Sequence, residues 1–221
     1  MNIGIVGGGQ LGMMMAEASK KYGHRIIGLD PNPNCSLSRY ADEMIVAQYD
    51  NKEAFELLAD KSDFITYEFE NVDLSMVEKH IQIIPQKSKG LYKSKNRLIE
   101  KEFADSLEIP TVNFKELQQK DDIFIPSIIK TTTGGYDGKG QYRILSPEDI
   151  DHFCKSAQTQ YVIEELLEFD YEISVIASRD QFKNIVTYPI PVNTHRNGIL
   201  YESNLSRKLP PLISRKAIEY T

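Results

Sequence analysis

Short apolar runs alternate with helical patterns along the first 85 residues of the chain. The runs are rich in β-branched residues, and the stretches between them repeat apolar residues at helical spacing. The predicted strands are Ile3–Val6, Arg25–Leu29, Met44–Ala47, Phe64–Tyr67 and Ile81–Ile84. The predicted helices are Leu11–Lys21, Lys52–Ala59 and Leu74–His80. This alternation predicts an α/β domain with a parallel sheet wound with helices.

The pattern changes after Pro85. A basic stretch from Leu91 to Leu107 has a helical pattern that Pro110 ends. The strand-like runs that follow are Ile128–Thr132, Gln141–Leu145, Tyr161–Leu166, Glu172–Ser178 and Asn184–Pro189. One helix interrupts them, which is typical of an α+β domain. We therefore predict two domains, 1–90 and 91–221.

Two helix starts carry capping signals. Asp50 and Glu53 fit the N-cap and capping-box positions of the second predicted helix. Ser146 as N-cap, Pro147 at the first helical position and Asp149 in the capping-box place predict the start of the helix in the second half.

Charge and composition narrow the classes of function. The formal net charge of -6 argues against the broad basic face that nucleic-acid binding needs. No apolar run approaches the roughly 20 residues that cross a bilayer, and the N-terminus has no secretory pattern. The two cysteines, Cys35 and Cys154, lie far apart with no Cys-x-x-Cys spacing, so the sequence indicates neither a zinc site nor a disulfide framework. We expect a cytoplasmic protein without nucleic-acid or membrane partners.

A glycine-rich turn follows the first predicted strand. Gly7, Gly9 and Gly12 have the spacing of the dinucleotide fingerprint, and Asp30 closes the second apolar run. The same glycines permit a tight strand-to-helix turn whose amides can hold an anion. The spacing therefore leaves a nicotinamide-dinucleotide site and another anion site as alternatives.

A second glycine-rich segment lies between two predicted strands of the second half. Its glycines are Gly134, Gly135, Gly138 and Gly140. Lys130 precedes them on the strand and Lys139 lies among them, which supplies two ammonium groups for phosphate oxygens. A plain hairpin is the alternative, but it needs only about two to five loop residues. The longer loop, which also holds Tyr136 and Asp137, favours a phosphate-binding flap.

Acidic residues surround the strands that come after the flap. They are Glu164, Glu165, Glu168, Asp170 and Glu172. Acidic residues usually form a solvated face. Their position after a lysine and a glycine flap favours a different interpretation, in which a carboxylate at a strand start reaches ribose hydroxyls.

These motifs together carry a family resemblance. The second half resembles the start of an ATP-grasp domain, and the whole chain resembles the N5-carboxyaminoimidazole ribonucleotide synthetase family of purine biosynthesis. The matching motifs are Gly-Gly-Gly-Gln-Leu-Gly at 7–12, Tyr-Glu-Phe-Glu-Asn-Val at 67–72, Gly-Gly-Tyr-Asp-Gly-Lys-Gly-Gln at 134–141, and Glu164 to Glu172. They run in the family's order across nearly the full chain. The resemblance implies a Rossmann-like pre-ATP-grasp domain followed by a partial α+β ATP-grasp domain.

The resemblance implies roles for individual residues. At the ATP phosphates it places Arg97, Lys130, Gly135, Tyr136, Asp137, Gly138, Lys139, Gly140 and Gln141. At the adenine it places Glu164, Glu165, Leu166 and Leu167, with Glu172 at the ribose and His195 at the nucleotide. At the ribonucleotide substrate it places Gln10, Tyr136, Asp137 and Lys139, with either Glu68 or Glu70 at the aminoimidazole ring. Lys130 and Lys139 are the candidate catalytic residues.

Two of these residues have simpler interpretations. Without the resemblance, His195 fits a surface-loop histidine. Arg97 fits a helix-surface cation paired with Glu100.

The resemblance also implies a reaction. ATP would phosphorylate bicarbonate to carboxyphosphate, which would carboxylate 5-aminoimidazole ribonucleotide in a homodimeric enzyme. Lysines, loop amides and Mg²⁺ would stabilise the charge on the transferring phosphoryl group. The family's magnesium-binding acidic residues lie farther along a longer chain, so we expect this chain to be a fragment that does not turn over alone.

Other functions stay open on the sequence. The glycine turn and Asp30 fit an NAD-dependent oxidoreductase, and a different ATP-grasp carboxylase or ligase would share the flap. A nucleotide-binding module without catalysis is a third alternative. Under the resemblance, a phosphate or an empty anion site is the favoured interpretation of the glycine turn.

Overall fold

The computed structural model describes residues 1–134, 140–156, 159–180, 182–196 and 198–221. The chain divides into two compact units, Met1–Glu100 and Lys101–Thr221. The domain limits 1–90 and 91–221 stay a prediction, because compact units and domains are defined differently.

The first unit is built on a parallel sheet. Its strands are β1 (Asn2–Val6), β2 (Arg25–Asp30), β3 (Glu43–Val46) and β4 (Phe64–Tyr67), in the order β3-β2-β1-β4. Its helices are α1 (Gln10–Lys20), α2 (Lys52–Lys61), α3 (Leu74–Lys79) and α4 (Lys87–Ser94). Helix α5 (Arg97–Ser106) begins in this unit. The α/β class predicted from the alternating pattern is confirmed.

Helices cover both faces of this sheet. Neighbouring residues of a strand point to opposite faces, so consecutive apolar residues pack against different helices. Ile5 on β1 packs in one cluster with Ala16 of α1. Val6, the next residue, packs in the other cluster with Phe55 and Leu58 of α2. All five side chains are 0% or 1% exposed. The glycine turn follows Val6, the last residue of β1, so it lies at the carboxyl edge of this parallel sheet.

Three details of the first unit differ from the prediction. The predicted strand Ile81–Ile84 lies mostly in turns, because its apolar character serves burial of Ile84 in the core rather than strand pairing. The N-cap of α2 is Asn51, whose side chain accepts from the Ala54 N–H, and not Asp50. The predicted helix from Leu91 to Leu107 is interrupted after α4, where the Asn96 side chain accepts from the N–H of Leu98 in α5.

The second unit contains an antiparallel sheet of four strands. They are β5 (Phe114–Leu117), β6 (Ser127–Thr131), β7 (Gln141–Ile144) and β8 (Tyr161–Glu165), in the order β5-β8-β6-β7. Helix α6 (Pro147–Ser156) packs on one face through Phe153, which clusters with Ile129, Ile144 and Ile163. The predicted cap of α6 is confirmed, since the Ser146 N–H donates to the Asp149 carboxylate over 2.9 Å.

The remaining elements of the second unit form smaller sheets. Strands β9 (Glu172–Ile173), β12 (Val192–Arg196) and β13 (Ile199–Asn204) make one sheet, in the order β13-β12-β9. Strands β10 (Ala177–Arg179) and β11 (Ile185–Thr187) make a separate pair, and helix α7 covers Pro211–Glu219. The strand predicted over Glu172–Ser178 is wrong as a single strand, because β9 pairs with β12 whereas β10 pairs with β11. Every helix in the described ranges is too short or too polar to cross a membrane.

Candidate functional site

A cavity of about 970 Å³ in the second unit brings several predicted site residues together. Lys130, Gln141, Glu172 and His195 all line it. These four residues lie on four different strands, β6, β7, β9 and β12. The structure therefore joins a cation and a carboxylate that are distant in sequence.

Strand alternation explains how Lys130 reaches the cavity. Ile129 points into the core with α6, so its neighbours Ile128 and Lys130 point to the opposite face. In the pairing of β6 with β7, Lys130 is opposite Gln141 and Ile128 is opposite Arg143. All four of these residues line the cavity and form one of its walls.

Glu172 and His195 come from another pair of strands. Glu172 on β9 is opposite Asn193 on β12, and a register shift between Thr194 and His195 breaks the regular ladder of β12 with β13. The His195 Nδ1 lies 3.4 Å from the Glu172 Oε1. The histidine and the carboxylate thus share one side of the cavity, with 33% and 44% of their side chains exposed.

Glu164 lies beside Lys130 in the interior. Its Oε2 accepts from the Lys130 Nζ over 2.9 Å, and its side chain is only 5% exposed. The other predicted adenine residues follow on the chain. Glu165 ends β8 and accepts from the Asn113 side-chain amide, whereas Leu166 and Leu167 lie beyond the strand, the latter 55% exposed. None of these four is among the residues that line the cavity.

The centre of the predicted flap falls outside the described residues. Gly135, Tyr136, Asp137, Gly138 and Lys139 belong to it. The flanks are described: β6 and β7 pair as a hairpin, and the Thr131 N–H donates to the Gly140 carbonyl over 2.9 Å. Gly140 has a φ of +71°, which a residue with a side chain rarely adopts.

The cavity also has polar residues that the sequence analysis did not select. Arg143, Tyr171, Asn193 and Arg207 line it. The Arg207 guanidinium carbon lies 5.7 Å from the centroid of the Tyr171 ring. Arg143 lies two residues after Gln141 on the same strand, so strand alternation could have identified it. Nothing in the local sequence connects Arg207 with the flap.

The glycine turn of the first unit holds an anion that the chain itself supplies. The Glu68 carboxylate accepts from the Gly9 N–H over 2.7 Å and from the Gly12 N–H over 2.5 Å. A Cβ at Gly9 would lie 2.7 Å from the Glu68 Oε1, so the glycine allows this close approach. The predicted anion at the turn is therefore a side chain in this structure. A phosphate would have to displace it.

Asp30 is likewise engaged within the protein. Its carboxylate accepts from the Gly8 N–H over 2.7 Å, from the Asn32 N–H over 2.8 Å and from the Tyr49 hydroxyl over 2.5 Å. Burial, together with this hydrogen bond to Asp30, raises the pKa of Tyr49 above its usual value. With both oxygens engaged, Asp30 has little capacity left for a ribose, which argues against a dinucleotide site.

The predicted substrate residues of the first unit lie near one another only in part. Glu68 and Glu70 line the same pocket of about 370 Å³, together with Gln86 and Ser94. Gln10 is exposed at the first position of α1 and is not among the residues of that pocket. Arg97 is half-buried at the first position of α5.

The described residues contain no metal-binding cluster, and a second cavity lacks the predicted site residues. They contain no group of three or more His, Cys, Asp or Glu that could hold a metal ion. A cavity of about 560 Å³, lined in part by Lys120, Phe153, Cys154 and Tyr161, includes none of the predicted site residues. Lys120 there pairs with Asp151 over 2.7 Å. Of these two cavities, only the one of about 970 Å³ is lined by predicted site residues.

Comparison with known families agrees with the two-part architecture. Residues 1–94 match the family model of the ribonucleotide synthetase preATP-grasp domain. Residues 102–221 match the family model of the ATP-grasp domain.

Individual relatives are similar over most of this chain. The N5-carboxyaminoimidazole ribonucleotide synthase of Staphylococcus haemolyticus is 37% identical over 211 residues, which is 91% of this chain and 56% of the relative. A solved N5-carboxyaminoimidazole ribonucleotide synthetase in complex with ADP has a TM-score of 0.93 and 39% identity, covering 99% of this chain and 61% of that one. The Staphylococcus aureus synthetase with ADP has a TM-score of 0.92 and 33% identity, covering 99% and 62%. This chain thus spans little more than half the length of its relatives.

Proposed function

The chain belongs to the ATP-grasp family, and we propose that it binds ATP in the 970 Å³ cavity as part of an N5-carboxyaminoimidazole ribonucleotide synthetase. The observation that carries this proposal is the meeting of Lys130, Glu172 and His195 at one cavity. Two similar synthetases were solved with ADP, which supports a nucleotide as the ligand.

The cavity offers complementary groups to the two ends of a nucleotide. The ammonium of Lys130 and the guanidinium of Arg143 can donate to phosphate oxygens. The carboxylate of Glu172 can accept from ribose hydroxyls, and His195 beside it can hydrogen-bond to the same sugar. We keep Glu164, Glu165, Leu166 and Leu167 as the proposed adenine segment.

The predicted residues of the flap and those of the first unit keep their roles as proposals. We propose that the segment from Gly135 to Gln141 covers the phosphates, with Lys139 as a second cation and Tyr136 and Asp137 facing the ribonucleotide. We propose Glu68 or Glu70, with Gln10, as contacts of the aminoimidazole ribonucleotide, since two carboxylates and Gln86 in one pocket suit a ligand rich in N–H groups. We also retain Arg97 as a proposed phosphate contact.

The reaction we propose uses ATP to activate bicarbonate. One carbonate oxygen would attack the γ-phosphorus, ADP would leave, and the resulting carboxyphosphate would give its carboxyl group to the ribonucleotide amine with release of phosphate. Lys130 would stabilise the charge on the transferring phosphoryl oxygens, and a closed flap would exclude water from the labile intermediate. The described residues contain no cluster of acidic or histidine ligands for the Mg²⁺ expected with ATP. A homodimer in the cytoplasm is part of the same proposal.

Nucleotide binding is the direct test of this site. Calorimetric titration of the chain should detect ATP and ADP, and NADH should not bind. Lys130→Met and Glu172→Gln should each weaken ATP binding by about tenfold, since each removes a charged hydrogen-bonding group. Lys120→Met, at the 560 Å³ cavity, is the matched control and should bind ATP like the parent chain. Equal affinity in all four proteins would place the nucleotide elsewhere and reject the proposal.

The substrate assignment needs a separate measurement. In a chain of the relatives' length, phosphate release from ATP should require both bicarbonate and 5-aminoimidazole ribonucleotide. Phosphate release that is indifferent to the ribonucleotide would favour a different ATP-grasp ligase.

A further inference from the structure

Three charged side chains converge on one face of the four-stranded sheet of the second unit. The buried Glu164 carboxylate lies 2.9 Å from the Lys130 Nζ and 3.3 Å from the Lys101 Nζ, both measured to its Oε2. Both lysines are largely shielded, with 19% of the Lys101 side chain and 23% of the Lys130 side chain exposed. One carboxylate oxygen therefore serves two ammonium groups.

The two lysines differ in what else they contact. Lys130 lines the 970 Å³ cavity, whereas Lys101 is not among its lining residues. Lys101 reaches Glu164 from helix α5, and its Nζ lies 5.4 Å from the centroid of the Phe114 ring. Phe114 is directly opposite Glu164 in the pairing of β5 with β8. The aromatic face and the carboxylate together hold Lys101 in place.

The two lysines supply the counter-charge of the buried Glu164 carboxylate. The Glu164 residue is 4% exposed, and its Oε1 has no hydrogen-bond partner among the described residues. A buried carboxylate without a counter-charge costs folding free energy. If Lys130 were the one cation beside Glu164, Glu164 would therefore hold it tightly. A triphosphate that draws the Lys130 ammonium away must therefore overcome that attraction, unless another cation stays with Glu164.

We propose that Lys101 is a positioning residue that remains the counter-ion of Glu164 while Lys130 turns to the phosphates of the nucleotide. Two ammonium groups that share an oxygen also repel each other, so movement of Lys130 toward phosphate relieves that repulsion. Lys101 acts through Glu164 and Lys130 and does not touch the nucleotide. This inference rests on the proposed binding of ATP in the cavity.

The test compares ATP with adenosine, which lacks the phosphates. The ratio of the two affinities isolates the contribution of the phosphates to binding, including the contact with Lys130, and cancels changes at the adenine and the ribose. Lys101→Met should lower this ratio by about tenfold, because Glu164 then retains Lys130. Lys101→Arg, which keeps the charge, should restore most of the ratio.

A double variant separates this role from simple attraction of ATP by a nearby cation. In Lys101→Met/Glu164→Gln the carboxylate that retains Lys130 is gone, so the ratio should return to within about twofold of that in Glu164→Gln alone. Lys115→Met is the matched control, since Lys115 on β5 pairs with Asp122 and lies outside the cavity. Its ratio should equal that of the parent chain.

Three results would contradict the inference. They are an unchanged ratio in Lys101→Met, an equal loss of ATP and adenosine binding that indicates a structural role, and a ratio that stays low in the double variant. Failure of the parent chain to bind ATP would instead reject the proposed function on which the inference rests.

Discussion

The Glu68 carboxylate on the glycine turn makes a sharp prediction about stability. Glu68→Ala removes an acceptor that two backbone N–H groups of the turn use, at 2.7 and 2.5 Å. A hydrogen bond to a charged group contributes about 1.5 to 3 kcal/mol, and the favourable interaction of an anion with a helix N-terminus adds about 0.3 to 1 kcal/mol. Glu68 is partly solvated, and water can replace part of each bond. We therefore expect a loss of about 2 to 3 kcal/mol in the free energy of unfolding.

Chemical denaturation of the parent chain and two variants measures this loss. Glu68→Gln retains an acceptor but not the charge, so it should fall between the parent and Glu68→Ala. Glu70→Ala is the matched control, because Glu70 is an exposed carboxylate in the same motif and should change the free energy of unfolding by less than about 0.5 kcal/mol. Hydrogen exchange should locate the change, with faster exchange of the Gly9 and Gly12 amides in Glu68→Ala.

Added phosphate gives an independent check on the same reasoning. In Glu68→Ala the amides at the start of α1 become an open anion site, so inorganic phosphate should raise the unfolding temperature of this variant more than that of the parent. Equal stability of Glu68→Ala and Glu70→Ala, with no specific phosphate effect, would refute the assignment of Glu68 as the anion of the turn.

Three further predictions concern stability. Tyr49→Phe removes a donor to the buried Asp30 carboxylate, so denaturation should show a loss of about 1 to 3 kcal/mol. Hydrogen bonds from the Leu145 backbone, from the Ser146 side chain and from the Ser146 backbone lower the pKa of Asp149 below 3.8. The folded state thus favours the carboxylate, and its contribution is fully present above pH 3.8 and is lost as the pH falls through the lower folded pKa. The stability difference between parent and Asp149→Asn should accordingly shrink below pH 3.8 in acid titrations. Phe55→Ala, at a side chain 1% exposed, should cost about 3 to 5 kcal/mol in denaturation, whereas an unchanged midpoint would contradict the core assignment.

Local signals predicted the parts of the fold in which pattern and burial agree. The strands of the first sheet and the cap of α6 follow from alternation and capping chemistry, and these predictions are confirmed. The prediction was wrong where apolar character serves another purpose, as at Ile81–Ile84, which lies mostly in turns and buries Ile84 in the core. The segment Glu172–Ser178 also failed as one strand, because partners distant in sequence divide it between two ladders.

Residues close together in the chain were enough to predict the α/β order of the first half, the glycine turn and the family resemblance, whereas the flap stays a prediction. Which side chains meet depends on the folded chain. The tertiary structure placed Glu68 on the turn, brought Lys130 and Glu172 to one cavity, and paired Lys101 with Glu164. Such contacts depend on sheet order and strand register, which long-range packing sets and which no local window of sequence contains.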